Sequence, residues 1–182
     1  RGLKIPIILF TYYNPVLQLG EESFFALAKQ NQVDGLLIPD LPLEESGRIR
    51  DKCSEHAITY ISLVAPTSKE RMDRITEHAQ GFLYCISSLG VTGVRKEFSE
   101  ELYTFLEEVK KKSTVPTAVG FGIAESEHIQ TLKPYCDGFV VGSALIKMIE
   151  QKEKQFKVDE EQTLQELKQQ IEELISPLLA ER

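Results

Sequence analysis

Six short apolar runs, beginning near residues 5, 35, 58, 81, 116 and 138, alternate with segments of helical periodicity along the whole chain. Most of these runs are near-continuous, so both faces of each strand are expected to be buried. Strands buried on both faces and joined by helical crossovers make a parallel sheet. The reading in detail is strand 5–13, ended by Asn14-Pro15, helix 20–31, strand 35–41 and helix 43–56. Strand 58–65 follows, and Thr67-Ser68-Lys69-Glu70 fits a capping box that starts a helix running to 79. Then come strand 81–88, helix 98–112, strand 116–120, helix 125–132, strand 138–141 and a helix from about Ser143. Asp34-Gly35 and Asp137-Gly138 introduce two of the strands in the same way. Residues 151–161 are strongly charged and read as loop or frayed helix. Residues 163–176 put Leu164, Leu167, Ile171, Leu174 and Ile175 on one face, which suits a closing helix. With no linker or low-complexity stretch, residues 1–182 read as a single domain, closed by a helix over 160–180.

The second constraint is a set of glycine-bearing turns: Gly90-Val91-Thr92-Gly93, Gly120-Phe121-Gly122 and Gly142-Ser143. Each follows or closes an apolar run. Without a Cβ, the backbone there can approach a ligand and present its N–H groups. Several such turns at the carboxyl ends of successive strands form an anion-binding rim of the kind used for phosphate. Two architectures fit six parallel βα units: an open doubly wound sheet, and a (β/α)8 barrel with part missing. The placement of the turns favours the barrel, whose phosphate commonly sits on the loops after its last two strands. A Gly-x-Gly-x-x-Gly fingerprint after the first strand, which a dinucleotide-binding sheet needs, is not found.

A net charge of −7 argues against a nucleic-acid backbone or an anionic membrane as the main partner. The apolar runs are far shorter than the ~20 residues of a membrane span. Cys53, Cys85 and Cys136 lack metal-type spacing and read as buried reduced thiols of a cytoplasmic protein. His56, His78 and His128 fall on helical segments among charged neighbours and read as surface residues. No metal site is expected. The opening Arg1-Gly2-Leu3-Lys4 looks cut from something longer.

Several strings, in order and across nearly the whole chain, resemble the α subunit of tryptophan synthase. They are Tyr12-Tyr13-Asn14-Pro15, Gly35-Leu36-Leu37-Ile38-Pro39-Asp40-Leu41-Pro42 with Glu44-Glu45, and Leu63-Val64-Ala65-Pro66-Thr67-Ser68. Gly90-Val91-Thr92-Gly93, Gly120-Phe121-Gly122-Ile123 and Val141-Gly142-Ser143-Ala144 complete the set. The resemblance implies a TIM barrel that cleaves indole-3-glycerol phosphate to indole and glyceraldehyde 3-phosphate in tryptophan biosynthesis. It implies an α2β2 assembly with a β subunit, which alone carries pyridoxal phosphate. The backbone at Gly93, Gly122 and Gly142, with the Ser143 hydroxyl, would hold the substrate phosphate. Tyr84 would lie beside the substrate, and Tyr12 and Phe121 would line the indole pocket. Residues 90–100 correspond to a mobile loop in which Thr92 helps order the acidic catalyst. Asn14-Pro15 and the residues after them correspond to a surface facing the β subunit.

The resemblance also marks a departure. In the family, a glutamate in the first strand region and an aspartate after the second perform the acid–base chemistry, and no matching segment occurs here. The six strands would then be the third to eighth of the barrel, without its first two βα units. The chain is expected to be inactive by itself, and the strands near 5 and 138 would each present an open apolar edge. Asp40, at a strand's carboxyl end, could stand in as a catalyst or accept backbone N–H groups in the turn before Pro42. Glu44 and Glu45 read as opening a helix. Tyr12 and Tyr84 could be barrel filling, and Ser143 a plain N-cap. Arg95 and Lys96 read as solvated. The alternative function is a non-catalytic phosphate-binding scaffold that contacts a partner; another phosphate-binding barrel enzyme is a third possibility.

Overall fold

A computed structural model describes residues 4–86, 98–120 and 122–180. In chain order the elements are β1 (Ile8–Phe10), α1 (Tyr13–Leu19), α2 (Glu21–Gln30), β2 (Gly35–Leu37), α3 (Gly47–Glu55), β3 (Thr59–Tyr60) and β4 (Leu63–Val64). A 3₁₀ helix (Pro66–Arg71) leads into α4 (Met72–Glu77), β5 (Leu83–Ile86), α5 (Glu100–Lys112), β6 (Thr117–Gly120), α6 (Ser126–Leu132) and β7 (Gly138–Val140). The chain ends in α7 (Ser143–Gln151), α8 (Glu153–Phe156), α9 (Glu160–Leu174) and α10 (Ser176–Leu179). This is an α/β fold with parallel strand pairing. It divides into two compact units. The first gathers residues up to Val64, then Ser68–Tyr84 and Lys112–Pro116; the second takes Ala65–Thr67, described residues from 85 to 111, and the chain from Thr117.

In the first unit β1, β2 and β3 pair in parallel in that order, with Ile8 opposite Gly35 and Gly35 opposite Thr59. The core beneath them is built from Val16, Phe25, Leu36, Ile38, Ile49 and Tyr60, with Leu9 packed against it. Phe25 is fully buried, a contribution of about 1.5–3 kcal/mol. A Cβ on Gly35 would lie 3.0 Å from Ile8 Cγ1 and 3.3 Å from the Thr59 carbonyl oxygen. Glycine is therefore what lets these three strands approach. The expected strand 58–65 is two strands. The Ile61 N–H still donates to Leu36, but the Ser62 carbonyl accepts from Tyr84, so the chain changes sheet partners there.

Three other expectations are corrected here. The run 5–13 gives only a three-residue strand, and Tyr13 opens a helix. Asn-Pro reads as a turn, yet proline in a helix's first turn costs no hydrogen bond. β1 is also not buried on both faces. Leu9 faces the core, whereas Ile8, Phe10 and Tyr12 are 38%, 54% and 64% exposed on the alternate face. Among the described residues, β1 pairs only with β2. Finally, the capping box does not form. Pro66 begins a 3₁₀ helix that already contains Thr67, and α4 starts at Met72 with no side-chain cap bond.

In the second unit β6 and β7 pair in parallel, Ala118 with Gly138, Val119 with Phe139 and Gly120 with Val140. α5 buries Leu102, Phe105, Leu106 and Val109, one stripe at helical spacing. α9 packs on α7, α8 and α10. Its buried residues are Thr163 and Leu174; Leu164, expected on the packed face, is 49% exposed. The Asp159 side chain caps α9 by accepting the Gln162 N–H at 2.9 Å. Part of the charged stretch before it is helical, as α8.

The repeated Asp-Gly signal has one structural cause. The Asp34 N–H donates to the Ile7 carbonyl at 2.8 Å, while its Oδ2 accepts the Ile7 N–H at 2.7 Å. Asp137 does the same to Thr117, at 2.8 Å in both directions, and also accepts the Thr117 hydroxyl at 3.0 Å. Each aspartate thus closes a ring of hydrogen bonds where a strand enters its sheet.

Candidate functional site

The register of β6 and β7 determines what their following turns can do. Gly120 stands opposite Val140, and Gly122 and Gly142 each lie two residues further on. Two glycine corners therefore leave the same end of a parallel strand pair, whose members are about 4.8 Å apart. Gly122 has φ +78°, a conformation that side chains rarely adopt, and an added Cβ there would meet nothing within 4 Å. Gly142 likewise has open space where a Cβ would be. It is the N-cap of α7, a nine-residue helix with no side-chain cap bond. The first-turn N–H groups of α7 have no acceptor within the helix, and the helix dipole adds partial positive charge there. Ser143 is exposed and is the first helical residue, not the N-cap. The arrangement can receive a small anion.

In the first unit, the carboxyl ends of β1 and β2 carry the other candidates. Tyr12 follows β1 and is 64% exposed. Tyr84 is buried, and its ring meets that of Phe10 edge-on, with centroids 5.6 Å apart. Phe10 stands two residues before Tyr12 on the same exposed face of β1. Sequence reasoning missed Phe10, although its alternation with Tyr12 was a signal for it. Asp40 is exposed in the turn after β2, and both its carboxylate oxygens accept the Tyr13 N–H, at 3.0 and 3.2 Å. It accepts a backbone N–H as one reading had it, but from the start of α1 and not from its own turn. The Tyr13 hydroxyl donates to Glu21 Oε1 at 2.9 Å, and Arg48 pairs with Glu21 Oε2 at 2.8 Å. Burial, then this bond to Glu21, raises the Tyr13 pKa.

Other sequence candidates fall elsewhere. Thr92, Gly93 and Phe121, with Arg95 and Lys96, lie outside the described residues. Glu44 and Glu45 sit in a turn before α3 and do not open it. Glu44 pairs with Arg71 and Arg74 at 3.4 and 3.7 Å. Its own backbone N–H, helped by those guanidiniums, holds its carboxyl below the usual range. His78 is exposed and His56 half-buried against Phe25, but His128 is buried, a correction. Its Nδ1 accepts the Ala124 N–H at 3.3 Å, and its ring meets Phe98 at 5.3 Å. Helical spacing among charged neighbours concealed that it is on the inward stripe of α6, with Ile129 and Leu132.

Cys53, Cys85 and Cys136 are buried free thiols, pushed up by burial to about 12, 12 and 11. Among the described residues, no cluster of three or more His, Cys, Asp or Glu could hold a metal ion, and no helix is long and apolar enough to cross a membrane.

Parallel strands with open glycine corners past their carboxyl ends define an α/β protein that can present a ligand site on the loops after its strands. The family model for tryptophan synthase alpha chain matches residues 1–176, and the chain belongs to that family. It is 59% identical over 180 residues to the tryptophan synthase alpha chain of a Geobacillus species, covering 98% of this chain and 68% of that one. Against the alpha chain of Bacillus subtilis it is 60% identical over 151 residues, covering 83% of this chain and 57% of that one. A chain of the tryptophan synthase α2β2 complex from Pyrococcus furiosus superposes with a TM-score of 0.82 at 36% identity, covering 96% of this chain and 68% of that one.

Proposed function

We propose that this chain is the phosphate-holding and indole-facing part of a tryptophan synthase α subunit. The whole protein is a carbon–carbon lyase of tryptophan biosynthesis. It splits indole-3-glycerol phosphate into indole and glyceraldehyde 3-phosphate and works in an α2β2 assembly with a β subunit. The observation that carries this reading is the family match over residues 1–176. The common departure of Gly122 and Gly142 from one strand end supports its phosphate-binding part.

Gly122, Gly142 and Ser143, with Gly93, receive the phosphate through backbone N–H groups and one hydroxyl. Tyr12 and Phe121 line the indole pocket, Tyr84 lies beside the substrate, and Thr92 acts from its loop. A retro-aldol cleavage needs a proton delivered to the indole ring carbon and another removed from the glycerol hydroxyl. Two carboxyl groups with separated pKa values perform both. Those two residues, by the resemblance, belong to a segment corresponding to the barrel's first two βα units, which these 182 residues do not contain. Asp40 is assigned a different role, since its carboxylate accepts the Tyr13 N–H at the start of α1. The chain alone then binds but does not cleave. The exposed apolar side chains of Ile8, Phe10 and Tyr12 support the same reading, since a face that an absent neighbour would cover is left open in such a partial barrel. Pyridoxal phosphate belongs to the β subunit, and no residue here is assigned to it.

Indole release from indole-3-glycerol phosphate tests this directly, comparing the 182-residue chain with one extended by the family's first two βα units. Turnover only by the extended form is expected. Substantial turnover by the short chain would mean that the acid–base pair lies within it. A β-type partner captured without lyase activity in either form would favour a non-catalytic scaffold.

A further inference from the structure

We propose that Asp40 is a positioning residue that caps α1 from a distance and so holds the backbone that carries the Tyr12 ring; its effect on ligand binding rests on the reading of Tyr12 given above. Tyr12 occupies the N-cap position of α1, with extended backbone at φ −72° and ψ 160°, and makes no side-chain cap bond. A tyrosine cannot do what serine, threonine, asparagine or aspartate does there, because its hydroxyl is too far from the backbone. Pro15, the third helical residue, has no N–H, so a local cap would have lost one of its two usual targets. The Thr11 hydroxyl does not help: it donates to the Tyr12 carbonyl at 3.2 Å.

The first donor of the helix, the Tyr13 N–H, is instead taken from across the sheet. Asp40 follows β2, which pairs with β1, and its two oxygens receive the Tyr13 N–H at 3.0 and 3.2 Å. A carboxylate at a helix N-terminus also complements the dipole. The second anchor is the Tyr13 side chain, held by Glu21 and through it Arg48. The backbone just after Tyr12 is thus gripped twice, while the Tyr12 ring stays free to meet a ligand. The capping duty has moved 27 residues along the chain, which leaves position 12 open to an aromatic ring.

Amide hydrogen exchange and indole titration of the 182-residue chain test this with Asp40→Ala, Asp40→Asn and Tyr12→Ala. Asp40→Ala is expected to speed exchange of the Tyr13 amide about tenfold, the usual weight of a lost cap, whereas Asp40→Asn, which keeps an acceptor oxygen, restores most of the protection. Indole should bind about three- to tenfold more weakly to Asp40→Ala, because one more side chain must be immobilised on binding. In the Tyr12→Ala background the same change should weaken indole binding no further, since there is no ring left to position. If Asp40→Ala fails to fold, Asp40→Ser, too short to reach the amide, takes its place. Unchanged Tyr13 exchange, or an equal loss of indole affinity with and without Tyr12, would overturn the proposal. If the unaltered chain binds no indole at all, the reading of Tyr12 fails, while the exchange data still decide whether Asp40 caps the helix.

Discussion

Replacing Asp137 with alanine removes the acceptor that holds the entry of β7 against β6. Its Oδ2 receives the Thr117 N–H at 2.8 Å and the Thr117 hydroxyl at 3.0 Å, and Thr117 is only 2% exposed. A buried N–H left without a partner costs about 1–3 kcal/mol, whereas the hydroxyl can turn elsewhere and is not counted. The Lys110 ammonium, 3.7 Å away with both side chains over 40% exposed, adds about 0–1 kcal/mol. The expected loss is therefore about 1–4 kcal/mol, or on the order of 1 M in the urea midpoint at the usual slope. Asp137→Asn keeps an acceptor and should lose about 1 kcal/mol, the difference between a charge-assisted and a neutral bond. Urea unfolding by circular dichroism reads the total, and amide exchange at Thr117 locates it in the second unit.

The pH dependence is set by the sign of the shift. Burial pushes the Asp137 carboxyl up, but the bonds from Thr117 and the Lys110 charge outweigh it and hold the group below its usual value. A depressed carboxyl contributes fully above its unfolded pKa and loses that contribution as pH falls through its folded one. The gap between the parent and Asp137→Asn should hold at pH 7 and close below the ordinary carboxylate value of about 3.9. An alanine variant within about 0.5 kcal/mol of the parent would refute this reasoning, given the cost of an unpaired buried N–H. So would a parent–asparagine gap that persists to the lowest pH at which the chain stays folded.

Gly35→Ala should destabilise the first unit by about 1–3 kcal/mol, because the Ile8 side chain can yield but the Thr59 carbonyl oxygen 3.3 Å away cannot; an unchanged urea midpoint would contradict the close approach. All three cysteines should resist a thiol–disulfide exchange reagent at pH 8 in the native chain and react once urea is added, since burial keeps them as thiols. Rapid labelling of any one without denaturant would show that its surroundings open.

The strands buried on both faces were the most legible part of the fold. β2, β5 and β6 are near-continuous apolar runs, and the structure buries almost every residue of them. The same pattern misled at β1, because a run of letters cannot say whether a neighbour covers its second face. α1 was hidden by Asn14-Pro15, a pair that suits a turn and a helix's first turn equally well. Glycine spacing pointed to Gly122 and Gly142, but only the Gly120–Val140 register brings them to one strand end. Asp40 and Tyr13 are 27 residues apart, and their bond follows from the pairing of β1 with β2, which no local pattern encodes. His128 was misjudged for a related reason: charged neighbours on a helix describe its outer face and say nothing of the inward one.

The corners after β6 and β7 are proposed to receive a phosphoryl group. This is decided by titrating the 182-residue chain with glycerol 3-phosphate and following amide NMR spectra residue by residue. Saturable shifts concentrated at Gly122, Gly142, Ser143 and Ala144 are expected, strongly reduced by Gly122→Ala. Shifts scattered over surface lysines, or none at these four residues, would contradict it.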